Sequence, residues 1–117
     1  MKRASTFQYE TFHGLVVNNL EKRLRATGKY DDATIFNTRL IDLGIQKNGK
    51  TRHIFEVKSS SDRQAIYTGI GQLMFHTLGM PNIKKTLVLP LDEYRSRLIK
   101  IFNQLGIDIL KYEIKKG

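Results

Sequence analysis

The chain is an α/β domain, and three features of the sequence predict it. A long 3.6-period apolar pattern opens it. Two short apolar runs follow, separated by Asn48-Gly49. Helix-length and strand-length segments then alternate to the end. At 117 residues, 40% hydrophobic and 26% charged, the composition suits one globular domain over 1–117 with no second core.

Residues 6–27 read as the first helix. Tyr9, Phe12, Val16, Val17, Leu20 and Leu24 recur at spacings of three and four. Thr6 is placed to cap its start, and Gly28 is where a left-handed C-terminal cap is wanted. Lys22, Arg23 and Arg25 suit the negative end of the helix dipole; as a cluster they read equally as a solvated helix end or a DNA contact. His13 falls near the middle of the apolar face and Glu10 at its edge.

Phe36–Ile45 and Thr51–Lys58 read as two strands of a hairpin turned at Asn48-Gly49. Ala33–Phe36 can supply a brief edge strand before them. A plain two-residue turn would set Asp42 against Phe55 and mix acids with apolar side chains. A three-residue connection, Asn48-Gly49-Lys50, or one bulge sets Asp42 against Glu56 and matches apolar to apolar. Asn48 or Gly49 is then expected at positive φ.

Ser59-Ser60-Ser61 breaks the chain, and Ser61 with Gln64 has the form of a capping box. A second helix is expected from Asp62 to Leu78. Ile66, Ile70, Leu73 and Thr77 form one stripe and Ala65, Gly69, Gln72 and His76 the next. Gly69 and Gly71 point to close approach of a neighbouring element. Lys85–Leu89 reads as a strand parallel to the Glu56 strand. Asp92 can cap a third helix to Leu105, with Tyr94, Leu98, Ile101, Phe102 and Leu105 inward and Arg95, Arg97 and Lys100 outward. Ile107–Ile114 is the last strand. The expected order is α-β-β-α-β-α-β, a mixed sheet flanked by helices.

The anomaly is charge inside apolar strands. Leu40-Ile41-Asp42-Leu43 and Ile54-Phe55-Glu56-Val57-Lys58 carry acids that are costly to bury unless paired, hydrogen-bonded or bound to a metal. In the matched register two carboxylates sit roughly 5 Å apart at Cβ, and a divalent metal would relieve their repulsion. Oxygen ligands suit Mg²⁺ or Mn²⁺, and the Val57 carbonyl can add one. Lys58 projects from the Glu56 face and can orient or activate a water or stabilise developing charge. The plain alternative is a buried ion pair. Net charge is +9, which favours a polyanionic partner. Lys47, Lys50, Arg52, Arg63, Lys84 and Lys85 can track a phosphate backbone. The absence of cysteine excludes disulfides and thiolate metal sites. No membrane-length apolar run and no signal peptide are seen, so a cytoplasmic protein, nucleoid-associated when bound to DNA, is expected.

Asp42, then Glu56-Val57-Lys58, then Gln72 on the following helix resembles the PD-(D/E)XK nuclease superfamily over most of residues 6–90, with its restriction-endonuclease-like fold. Ile41 stands where that family often has Pro. The resemblance implies Mg²⁺-dependent endonucleolytic hydrolysis of DNA. Asp42 and Glu56 would be metal ligands, joined by the Val57 carbonyl, with Lys58 as the catalytic lysine and Gln72 completing the site. Glu10 matches the extra acid that many members carry on the first helix. RecB-like members place a histidine there, which suits His13, and have Gln-x-x-x-Tyr on the second helix, where this chain has Gln72 and His76. A Holliday-junction-resolvase-like subgroup is the other affinity. A role in restriction, repair, recombination or a mobile element is implied, and a homodimer or a larger complex is compatible with so small a domain. Two other classes remain: a non-catalytic nucleic-acid-binding module, and a structural domain with an ion-pair network.

Overall fold

The computed structural model describes residues 2–90 and 96–113, with side chains over 12–90 and 98–113. The order is α1 (Lys2–Ala26), β1 (Thr34–Phe36), β2 (Leu43–Lys47), β3 (Lys50–Val57), α2 (Arg63–His76), β4 (Lys84–Pro90), α3 (Ser96–Leu105) and β5 (Ile107–Tyr112). It is α/β, with three strands rather than two before the second helix.

Helix α1 begins before Thr6, so Thr6 is an interior residue and not a cap. Lys2, Arg3 and Ala4 are good helix formers and nothing between them and Thr6 breaks the helix. Gly28 takes φ +71° after the last turn, as expected of a left-handed cap. The side chains of Tyr9 and Glu10 lie outside the described residues.

The expected strand over Phe36–Ile45 is in fact two strands and a loop. Thr38 is the cause: its Oγ1 accepts from the N–H groups of Leu40 and Ile41 at 3.1 and 3.0 Å, and its own N–H donates to the Ile41 carbonyl. Such local bonds compete with a β ladder. Leu40 is left exposed, and Ile41 joins the core on the opposite side of the sheet from Leu43 and Ile45.

The hairpin resolves by a bulge, not by a three-residue loop. Lys47 pairs with Lys50 across Asn48-Gly49, both at positive φ, and the register shifts so that Gln46 faces Thr51 while Ile45 faces His53. Arg52 is the extra residue. Leu43 therefore faces Phe55, and continuing that ladder sets Asp42 opposite Glu56.

The sheet order is β1-β2-β3-β4-β5. β1, β2 and β3 are antiparallel; β3, β4 and β5 are parallel, joined through α2 and α3. α1 covers one face with Val16, Val17 and Leu20 against Leu43, Ile45, Phe55, Val57 and Val88. α2 and α3 cover the other with Ile66, Leu73 and Phe102 against Ile54, Leu87, Leu89 and Ile107. Each face of β3 thus meets a helix layer, which is why its apolar run is nearly continuous.

Asp62, not Ser61, caps α2: its carboxylate accepts from the Ala65 N–H at 2.8 Å. A carboxylate at Ncap also complements the helix dipole. In α3, Leu98, Phe102 and Leu105 face the core as expected, but Ile101 is half open to solvent on the flank of that stripe. Asp92, Tyr94, Arg95 and Ile114 lie outside the described residues, as does the side chain of Arg97. No described helix is long and apolar enough to cross a membrane.

Candidate active site

The parallel strands β3, β4 and β5 end together, with Val57 beside Val88 and Pro90 beside Tyr112. The carboxyl ends of strands in open α/β sheets are where ligands are usually held. Here that edge carries Asp42, Glu56, Lys58, Gln72 and His13.

The turn built by Thr38 delivers Asp42 to the start of β2, where its Oδ2 accepts from the Val57 N–H at 2.8 Å. The same oxygen lies 3.2 Å from His13 Nε2. His13 Nε2 is also 3.1 Å from the Val57 carbonyl oxygen. One nitrogen thus bridges the Asp42 carboxylate and the one backbone carbonyl singled out from the sequence as a metal ligand. His13, only a secondary candidate in the sequence, is brought fully into the cluster.

Glu56 is 3% exposed and one of its oxygens, Oε2, is buried without a hydrogen-bond partner. Burial, then the neighbouring charge of Asp42 and the bond shared with it, push its carboxyl up to about 8, with Lys58 opposing. Burial would raise Asp42 too. The bonds from His13, the Val57 N–H and Glu56 outweigh it and hold Asp42 below the ordinary carboxylate value. The two carboxyls are thus pushed apart, Glu56 upward and Asp42 downward. His13 is raised, chiefly by its bond to Asp42, against its burial.

Lys58 follows β3 directly. Its N–H donates to the Val88 carbonyl, and its carbonyl accepts from the Tyr112 hydroxyl at 2.7 Å. Its ammonium donates to Gln72 Oε1 at 2.5 Å and lies 3.9 Å from Glu56 Oε1. Gly69 lies against it: a Cβ there would sit 2.5 Å from Leu87 Cδ1, too close, and 3.4 Å from Lys58 Cε, an ordinary contact. Gln72 therefore belongs with the lysine, one helical turn beyond that glycine. Tyr112 is a contributor that the sequence did not flag, since a tyrosine ending an edge strand carries no distinctive pattern.

The other candidates are more scattered. His76 is half-buried on the Gln72 side of α2, with its ring edge-on to Phe75. Arg63 is exposed at the start of α2. Lys47, Lys50 and Arg52 sit around the hairpin turn, toward the other end of β3; at 3.3 Å per residue Lys50 is roughly 23 Å and Arg52 roughly 17 Å from Val57. Lys47 there pairs with Asp32 at 2.9 Å. Lys84 and Lys85 begin β4, beside His53 and Ile54, also away from the carboxyl ends of the strands.

Two carboxylates and a backbone carbonyl, with an unsatisfied buried carboxyl oxygen among them, are donors of the type a hard divalent cation takes, and an imidazole lies beside them. Among the described residues no three His, Cys, Asp or Glu side chains form a ready-made cage. The site as it stands is closed by hydrogen bonds of its own, His13 to Asp42 and to Val57, which a cation would have to replace.

The titration of this cluster has a measurable consequence. The folded-state value for Glu56 is above its unfolded value, so the stability it contributes is present at low pH and lost as pH rises toward about 8. His13, also raised, adds to the loss above pH 6.5. His53, half-buried between Thr86 and Phe55, is lowered to about 4 by that burial and acts oppositely, between 4 and 6.5. Without metal, urea stability should therefore fall most clearly from pH 6.5 to 8. Glu56→Gln should flatten that fall; an unchanged slope would show that Glu56 titrates normally.

Comparison with protein-family models, with curated proteins and with solved structures yields no match to this chain.

Proposed function

We propose that the chain is a Mg²⁺- or Mn²⁺-dependent nuclease that hydrolyses DNA phosphodiester bonds, with a PD-(D/E)XK-type, restriction-endonuclease-like core. The observation that carries this reading is the convergence of Asp42, Glu56, Lys58 and Gln72 at one sheet edge, around a buried carboxyl oxygen with no partner. The antiparallel β1-β2-β3 meander, followed by α2 and a parallel β4, supplies the additional strand that this family's core has. Net charge of +9 suits a polyanionic substrate.

Asp42, Glu56, the Val57 carbonyl and His13 would hold the cation. When bound it supplies Lewis-acid polarisation of the phosphate and a more acidic water. The protein's own part is positional and electrostatic. Gln72 accepts one N–H of the Lys58 ammonium and so aims it. From there Lys58 orients the attacking water or meets the charge developing on the phosphate oxygens. Tyr112 anchors the Lys58 backbone from the far strand. Lys22 and Arg23 flank a groove of about 510 Å³ between α1 and β5, walled in part by Tyr112, that offers a path for a phosphate backbone.

The test is a panel of plasmid, linear duplex, branched and single-stranded DNA, and RNA, incubated with Mg²⁺, Mn²⁺ or chelator. Cleavage of DNA only with metal is the expected result. The net charge of +9 suits equally a second reading, a nucleic-acid-binding module without catalysis; salt-dependent DNA binding with no cleavage in any metal would establish that one instead. His13→Ala should weaken Mn²⁺ binding, followed by calorimetry, by about ten- to a hundredfold, the usual cost of losing a metal site's supporting group. Unaltered affinity would place His13 outside the metal site.

A further inference from the structure

Helix α2 has two sides of different character. Ile66, Gly69, Leu73 and Thr77 are buried against the sheet. The opposite side carries Tyr67, Gly71, Met74, Phe75 and, just past the helix end, Leu78. Tyr67 is 60%, Phe75 67% and Leu78 72% exposed. This is a continuous apolar strip at helical spacing, not scattered surface leucines.

Two further observations say what covers it. First, no Lys, Arg, Asp or Glu occurs between Arg63 and Lys84, in a chain that carries +9 overall. Two copies of so basic a protein repel one another least where they meet on an uncharged face, and this is such a face. Second, the strip is self-complementary about Gly71. Glycine is among the poorest helix formers, and a Cβ at Gly71 would meet nothing within 4 Å, so nothing within the chain requires it. Tyr67 stands four residues before it and Phe75 four after; Thr68 and Met74 stand three either side, Gln64 and Leu78 seven. A two-fold axis through Gly71 in an antiparallel helix pair therefore sets Tyr67 on Phe75 of a second copy, and glycine on glycine. An isologous contact needs this self-matching, and a residue without a side chain at the axis lets two helix backbones approach while flanking rings interlock.

We propose that the exposed face of α2 is a homodimer interface, antiparallel about Gly71. The contact is small. Fourteen residues make a helix of about 21 Å, and one face of so short a helix buries less than the ~800 Å² per partner of a standard interface, so association belongs in the micromolar range. The inference does not rest on the nuclease reading; a catalytically inert protein that dimerises this way upholds it.

Sedimentation equilibrium of the full chain from about 1 to about 200 µM should show monomer and dimer. Phe75→Glu should weaken association at least tenfold with the far-UV circular dichroism unchanged. Adding Tyr67→Lys to it should restore association, because each new cation then faces a new acid on the other copy. The natural lack of cysteine makes a second test clean. Gly71→Cys should cross-link to itself through a short thiol reagent. Leu78→Cys should not, but should cross-link to Gln64→Cys when the two are mixed. A chain monomeric at every concentration, a dimer indifferent to Phe75→Glu, or Gly71→Cys that fails to cross-link would each overturn the proposal.

Discussion

Lys58→Ala should reduce metal-dependent DNA cleavage by about 10²- to 10⁴-fold, the range expected for a positioned proton-transfer or charge-stabilising group. The loss should fall on kcat. KM for DNA should change little, because one ammonium among many cations contributes little to backbone binding. The structure says why no neighbour substitutes. The ammonium sits 2.5 Å from Gln72 Oε1 and 3.9 Å from Glu56 Oε1, and its stem passes Gly69, where a Cβ would lie 3.4 Å away. Lys58→Arg should not rescue, since a planar fork needs more than the one aligned acceptor that Gln72 offers. Gln72→Ala should cost less, about tenfold, by freeing the ammonium without removing it. Single-turnover cleavage beside a DNA-binding isotherm separates the two effects. Undiminished cleavage by Lys58→Ala would reject the assigned role outright.

The second large effect concerns stability. Leu87 is wholly buried on β4 and meets α2 at Gly69, where a Cβ would lie 2.5 Å from Leu87 Cδ1. Leu87→Ala should destabilise by about 2–5 kcal/mol through lost burial and a residual cavity. Gly69→Ala forces Leu87 to move, at about 1–3 kcal/mol, against about 1 kcal/mol gained in helix propensity. The two changes share one space, so they should not add. In the double variant the methyl at position 69 enters the volume that Leu87 vacates, and the combined loss should be smaller than the sum by about 1 kcal/mol or more. Urea midpoints of the four proteins measure this coupling. Strict additivity would mean that Gly69 and Leu87 do not pack as described. Since Lys58 lies on the same glycine, the variants that hold their fold also report whether crowding there disturbs cleavage.

On the proposed reading, the cluster trades stability for function. A carboxyl with an unpartnered oxygen in the core, raised to about 8, is a poor structural choice. It becomes intelligible where a cation is to be received. Binding would release the Glu56 proton, so metal affinity should strengthen as pH rises toward 8.

Much of this was legible in the residues themselves. Period-two alternation around Asn48-Gly49 set the hairpin, and the mismatch of Asp42 with Phe55 demanded an odd offset, found as the bulge at Arg52. Turn chemistry, side-chain faces and helix stripes are local properties, repeated every two or 3.6 residues, and the order of residues carries them directly. What tertiary structure decided was distance between remote parts and the dielectric each part meets. Thr38 diverted the chain from one strand into two. Packing of α1 on β3 brought His13 across 44 residues to the Val57 carbonyl. Burial, not composition, made Glu56 a weak acid. The length of β3 carried Lys47, Lys50 and Arg52 away from the acids that the same strands hold. The meeting of Asp42, Glu56 and Lys58 was written in the strand pattern; the protonation of that cluster, and the groups that orient it, arise only when the helices close over the sheet.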